Sequence, residues 1–337
     1  MHGSSEGPVT AGDLLTLEEL VHLRRTSSRR GAALVLHAWG VIAGAIALYV
    51  LWPSLLTLGM AVLVIGARQL GLMVLMHEAA HWLLFPGGRV NTWVGTWLCA
   101  APLGIDLKTY RRRHHLHHRH TQTTEDPDLA LSPRLPVSRG RLALAALGDL
   151  SGWTALTRIA GWRPWRDGPG LAWRRSRAPL AANLALGAVL TAIGGWQLYL
   201  LAWVLPWATW LQLLTRIRDI AEHGLVDDPG DPLRNSRSIA AGPLARAFLA
   251  PYGVNRHLEH HLVVFVPCWK LPEVSALLLA RNLGGRMERA ASYATVLARA
   301  TWPSGAAGPR SREGTGTRGP SPAGSSGRPS TGLPASG

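Results

Sequence analysis

The chain is short of cysteine and of acidic side chains. Its 337 residues hold two cysteines, and 20 Asp and Glu stand against 35 Lys and Arg, a formal net charge of +15. Cys99 and Cys268 form no C-x-x-C pair, which argues against a disulfide framework. The basic excess comes without any aromatic-basic recognition module, so nucleic acid is not expected as a partner. The first 30 residues are polar and end basic, unlike a cleavable secretory signal. No internal repeat is seen beyond a pair of similar histidine clusters.

What the chain has is apolar length: 47% of its residues are hydrophobic and only 16% charged. Apolar runs cover about residues 33–52, 54–75, 179–193 and 196–214. A bilayer core takes ~20 apolar helical residues, which the first, second and fourth runs supply and the third barely approaches. Residues 82–104 are also apolar, but Pro86, Gly87, Gly88, Arg89 and Asn91 interrupt them. That stretch reads as interfacial or re-entrant. The links Trp52-Pro53-Ser54 and Gly194-Gly195 carry no charge, so each pair of runs reads as a transmembrane hairpin. Every charged segment then falls on one side, including Arg24, Arg25, Arg29 and Arg30, and 14 basic against 6 acidic side chains in residues 105–178. By the positive-inside rule that side is cytoplasmic. The expected fold is therefore all-α and integral to the membrane, with four transmembrane helices in two hairpins beneath a helical cytoplasmic cap. A polar segment over residues 1–30 precedes a membrane domain over 31–302. Residues 303–337, rich in Gly, Pro, Ser and Arg, read as a disordered tail. The expected location is a bacterial cytoplasmic membrane.

Three histidine clusters carry the chemistry: His77-Glu-Ala-Ala-His81, His114-His-Leu-His117-His118 and His257-Leu-Glu-His260-His261. On a helix, residues three and four apart share a face, so each cluster presents its imidazoles together. Eight such donors exceed what one zinc ion can use. They suit two transition-metal ions, and imidazole is a good ligand for iron. In the second cluster only His114 as the first residue gives H-x-x-H-H. His115 points about 100° round the helix, and it and His120 stand outside the set. A basic, histidine-rich surface loop is the plainer reading of that cluster, but the third cluster repeats its spacing. His77-Glu78-Ala79-Ala80-His81 also fits the H-E-x-x-H motif of zinc metalloproteases, a rival that leaves six clustered histidines without use. A metal-binding membrane carrier or sensor is another rival, although carriers place polar ligands inside the bilayer. A ligating imidazole usually donates its second N–H to a carboxylate or carbonyl. Glu78, Glu222, Glu259, Asp126 and Asp128 are candidates for that task, as is Asp219, which shares a helix face with His223.

Arg111-Arg112-Arg113-His114, His117-His118-Arg119-His120-Thr121 and Glu125-Asp126-Pro127-Asp128 together resemble the second histidine box of the membrane fatty acid desaturase family. Asn255-Arg256-His257-Leu258-Glu259-His260-His261-Leu262, with Val266-Pro267 and Leu271-Pro272, resembles the third. Ala221-Glu222-His223-Gly224 and Asp231-Pro232-Leu233-Arg234-Asn235 are similar to the segment that follows the family's last transmembrane helix. The resemblance runs from about residue 33 to 285. It implies a non-haem di-iron centre at the cytoplasmic face, with His223 as a ninth ligand and O2 as co-substrate. It implies removal of hydrogen from an acyl chain to give a double bond, or hydroxylation or another oxygenation of a lipid, with the chain held in an apolar tunnel. In some members an amide side chain stands where this chain has Asp219. Phe85-Pro86-Gly87-Gly88 lacks the axial histidine of a fused cytochrome b5 module, so a separate electron donor of ferredoxin, cytochrome b5 or reductase type is expected.

Overall fold

The structure, a computed structural model, describes residues 9–129, 135–161, 168–226 and 228–302. The tail expected over 303–337 lies outside them. The described chain is mostly helical, and four helices are long and apolar enough to cross a membrane: Ser28–Leu51, Leu55–Ala80, Gly170–Gly194 and Trp196–His223.

The Leu55–Ala80 helix is the axis of the molecule. Its first turns expose Leu55, Leu56, Met60 and Leu63, whereas from Ile65 to Ala80 every residue but Met73 is buried. A helix that is apolar all round buries its whole circumference. Ser28–Leu51, Trp210–His223 and the helical turns of residues 95–100 pack against it. At Gly95 the approach is close enough that a Cβ atom would stand 2.3 Å from the Ala79 side chain.

Three of these helices outrun the apolar runs that announce them. The second continues through His77, the third is already helical at Gly170, and the fourth ends at His223. The apolar pattern stops where charge begins, but the backbone hydrogen bonds do not. The fourth helix is not regular. A π-helical turn spans Leu200–Val204, and Thr209 breaks the φ/ψ run at −118°, −84°. The 82–104 stretch folds as a short helix, Gly88–Val94, followed by tighter and wider turns.

Two shorter helices carry the second and third histidine clusters: Leu107–His120 and His257–Leu262. Among the described residues, four two-residue strands depart from the all-helical expectation. Val137–Ser138 pairs in parallel with Thr301–Trp302, and Ser238–Ile239 with Arg289–Ala290. Segments this short carry no alternation that a sequence pattern could reveal.

Candidate metal centre

The end of the Leu55–Ala80 helix places the first cluster. A helix leaves its last carbonyls without partners, and here side chains supply them. Asn91 Nδ2 donates to the Ala79 carbonyl at 2.9 Å, and Arg111 Nη2 to the same oxygen at 2.8 Å. Arg111 Nε donates to the Ala80 carbonyl at 3.0 Å, and its guanidinium lies 3.8 Å from the Trp82 ring centroid. The second cluster sits on a helix started by Asp106, whose carboxylate accepts from the Thr109 N–H at 2.9 Å, a standard N-terminal cap. That helix turns His114, His117 and His118 inward.

All nine histidines singled out in the sequence meet in two adjoining groups. His77, His81, His114, His118 and His260 form one; His117, His223, His257 and His261 form the other. Within each, the nitrogens lie within 4.8 Å of one another, close to the roughly 4.2 Å that separates opposite donors at ~2.1 Å from an ion. His115 and His120 belong to neither group; His115 stacks on His81 from outside, and His120 pairs with Glu125 at 2.8 Å.

The donor set fits a cation. His118 Nε2 lies 2.9 Å from His114 Nε2 and 3.0 Å from His260 Nε2. His257 Nε2 lies 2.8 Å from His223 Nε2 and 3.1 Å from His261 Nε2. One proton cannot serve two such contacts, whereas one ion shared by converging lone pairs can. His77 Nε2 and His81 Nε2 are buried without any hydrogen-bond partner, an expense for an unoccupied polar group. Burial, followed by the charge of neighbouring side chains, holds His114, His118, His257, His260 and His261 well below the usual imidazole range and brings His81 to about 3. Those six rings are thus neutral near pH 7, the state that binds metal.

Among the six carboxylates proposed to orient the imidazoles, Asp126 is within hydrogen-bond distance of one. It accepts from His117 Nδ1 at 2.9 Å and from the backbone N–H groups of Gln122 at 2.9 Å and Asp128 at 2.8 Å. Burial alone would raise this carboxyl, but those bonds outweigh it and keep it below its ordinary value. Asp128 pairs with Arg113 at 2.8 Å and stands 3.9 Å from His117 Nδ1. Glu222 binds Arg218 and lies 3.7 Å from His257 Nε2. Glu259 accepts from Ser238 Oγ at 3.1 Å. Glu78 accepts from the Cys268 N–H at 2.8 Å and lies 3.6 Å from His77 Nδ1. A protease base would face the metal side of its helix, and this carboxylate is instead committed to the backbone at Cys268.

A cavity of about 1070 Å³ opens on His77 and His114 of one group and His117, His223 and His257 of the other. Met73, Ile105, Pro179 and Leu180 form an apolar part of its wall. The rest differs from the apolar tunnel expected: Arg113, Arg158, Arg175 and Arg218 line it with Asp106, Asp128 and Asp219. These charges come from four segments far apart in sequence, so no single stretch announces them. Asp219 has no hydrogen-bond or ion-pair partner among the described residues and is open to this space.

Sequence reasoning missed the side chains that hold the site's framework. Arg237 is fully buried; it donates to Glu288 at 2.8 Å and to the carbonyls of Ala221 and Leu225, each at 2.9 Å, behind His223. Nothing local separates it from the solvated arginines nearby. Arg218 was missed too, although its place four residues before Glu222 was a local signal for their pairing.

The chain belongs to the fatty acid desaturase family, whose match covers residues 51–288. With its four long apolar helices, it is an integral membrane protein. A dihydrorhizobitoxine desaturase of Bradyrhizobium elkanii is 28% identical over 273 residues, 73% of this chain and 74% of that protein. A beta-carotene ketolase of Paracoccus sp. (strain PC1) is 26% identical over 298 residues, 84% of this chain and 99% of the ketolase. A zeaxanthin 4-ketolase of Chlamydomonas reinhardtii is 24% identical over 60% of this chain, which spans 40% of that longer protein.

Proposed function

We propose that the protein is an O2-dependent di-iron oxidoreductase that desaturates the acyl chain of a fatty acid or lipid at the membrane. The observation that carries this reading is the pair of imidazole groups, five and four strong, side by side. When bound, two iron ions would supply the activation of O2 against an unreactive C–H bond.

The side chains bind, orient and exclude. His77, His81, His114, His118 and His260 would hold one ion; His117, His223, His257 and His261 the other. Asp126 keeps the proton of His117 on Nδ1 and leaves Nε2 free. Glu78, Glu222, Glu259, Asp128 and Asp219 would set the surrounding charge. The apolar part of the cavity wall would hold a methylene beside both groups, and the charged part suits a polar end of the substrate. Holding a reacting carbon at a fixed place is itself a large share of catalysis.

In the membrane, the four long helices would form two hairpins with the histidine-bearing segments as a cytoplasmic cap. The location would be a bacterial cytoplasmic membrane and the electron donor a separate protein. A second reading, oxygenation of a lipid such as a carotenoid, is favoured by the alignment over 99% of the Paracoccus ketolase. Metal analysis of the purified protein should find about two irons per chain, beyond the one zinc of a protease site. Mass spectrometry of lipids from a host expressing it should find loss of two hydrogens for desaturation. A gain of oxygen would support the second reading, and exchangeable metal with no O2 uptake would refute both.

A further inference from the structure

The Leu107–His120 helix has a second face. Lys108, Arg112, His115 and Arg119 follow at intervals of four, three and four residues and therefore share one side, and all four are exposed. The acids that start and follow this helix are engaged: Asp106 accepts from the Thr109 N–H and hydroxyl, Asp128 pairs with Arg113 and Glu125 with His120. Lys108, Arg112 and Arg119 have no ion-pair partner among the described residues. A cationic stripe is thus presented one helix thickness from the metal groups.

His115 gives that stripe a link to the interior. Its ring stacks on His81, with centroids 5.4 Å apart and planes 17° from parallel, and its Nε2 lies 3.2 Å from the Ala80 carbonyl. His81 belongs to the five-histidine group. A single stacked contact therefore separates an exposed ring from an imidazole of that group.

We propose that this face docks an acidic one-electron carrier protein and that electrons cross the His115–His81 stack to the ion that the five-histidine group would hold. The proposal rests on the oxidoreductase reading above. In each turnover two reduced carriers are each oxidised by one electron. Those two electrons and two solvent protons, with the two hydrogens taken from the substrate, convert O2 to two waters. No bond in either imidazole breaks. A cationic face attracts an acidic partner over a distance and speeds encounter, and electron-transfer contacts are characteristically small. Lipid phosphates would also be drawn to the three cations, but they give no role to a ring stacked on His81.

The test uses the full chain in phosphatidylcholine nanodiscs and an acidic [2Fe–2S] ferredoxin as probe, with binding followed by surface plasmon resonance. Binding should weaken as salt rises, and combined Lys108→Glu, Arg112→Glu and Arg119→Glu should slow association about tenfold or more. His115→Leu should leave bound metal unchanged and slow severalfold the oxidation of reduced ferredoxin already bound at saturation, and His115→Phe should recover most of that rate by restoring the stack. No ferredoxin binding by the unaltered protein, equal binding by the charge-reversed variant, or an unchanged oxidation rate in His115→Leu would overturn the proposal. So would a charge reversal that weakened attachment to phosphatidylserine vesicles alone. Binding is read without turnover, so a protein lacking iron or product would sink the reading above while the docking result stood.

Discussion

The contact of His117 Nδ1 with Asp126 shows how one residue is set for its task. The carboxylate is itself fixed by two backbone N–H groups, so it cannot follow the ring away. Asp126→Asn should keep the fold and lower metal affinity by about 10- to 100-fold, read by competition with a chromophoric chelator. An unchanged affinity would remove the orienting role. His117→Ala and His260→Ala each delete a donor and should lower bound iron and abolish turnover, measured by metal analysis and product yield. At this scale the sequence was informative because three- and four-residue spacing dictates which rings share a face. It could not show that Arg237 is buried behind His223, since its partners Ala221 and Glu288 are distant in sequence.

At the scale of elements, the first cluster depends on how the turns of residues 95–100 lie against the Leu55–Ala80 helix. Gly95→Ala would drive a methyl into Ala79 and Leu107. Overpacking of this kind costs ~1–3 kcal/mol, so the melting temperature in detergent should fall, and bound metal with it. The Leu17–Leu23 helix is held differently. Arg281 Nη2 reaches both Glu19 oxygens at 2.7 and 2.8 Å. That bond, followed by one from the Thr16 N–H, holds the Glu19 carboxyl below its ordinary range. A lowered carboxyl stabilises the fold above its unfolded value and loses that contribution as pH falls through the folded one. Hydrogen exchange in residues 17–23 should therefore quicken below about pH 4, while that of the buried 65–80 segment does not. The apolar runs marked all four long helices but not their ends, because helical hydrogen bonding passes through His77 and His223 where hydropathy stops.

Across the whole molecule, the two groups of imidazoles tie together residues from 77 to 261. An ion held by so many segments stabilises the folded chain by mass action. Stripping metal with a chelator should thus lower the melting temperature, and iron should restore it. The charged lining of the cavity was the least legible feature, since Arg113, Arg158, Arg175 and Arg218 converge only after folding.

Two helices serve both groups at once. Leu107–His120 gives His114 and His118 to one and His117 to the other; His257–Leu262 gives His260 to one and His257 and His261 to the other. Neighbouring residues on a single helical turn cannot be drawn tight independently. Filling one pocket should therefore shape its twin, and iron supplied at half the saturating amount should distribute unevenly. Native mass spectrometry should then find chains with two ions and chains with none, and few that carry one.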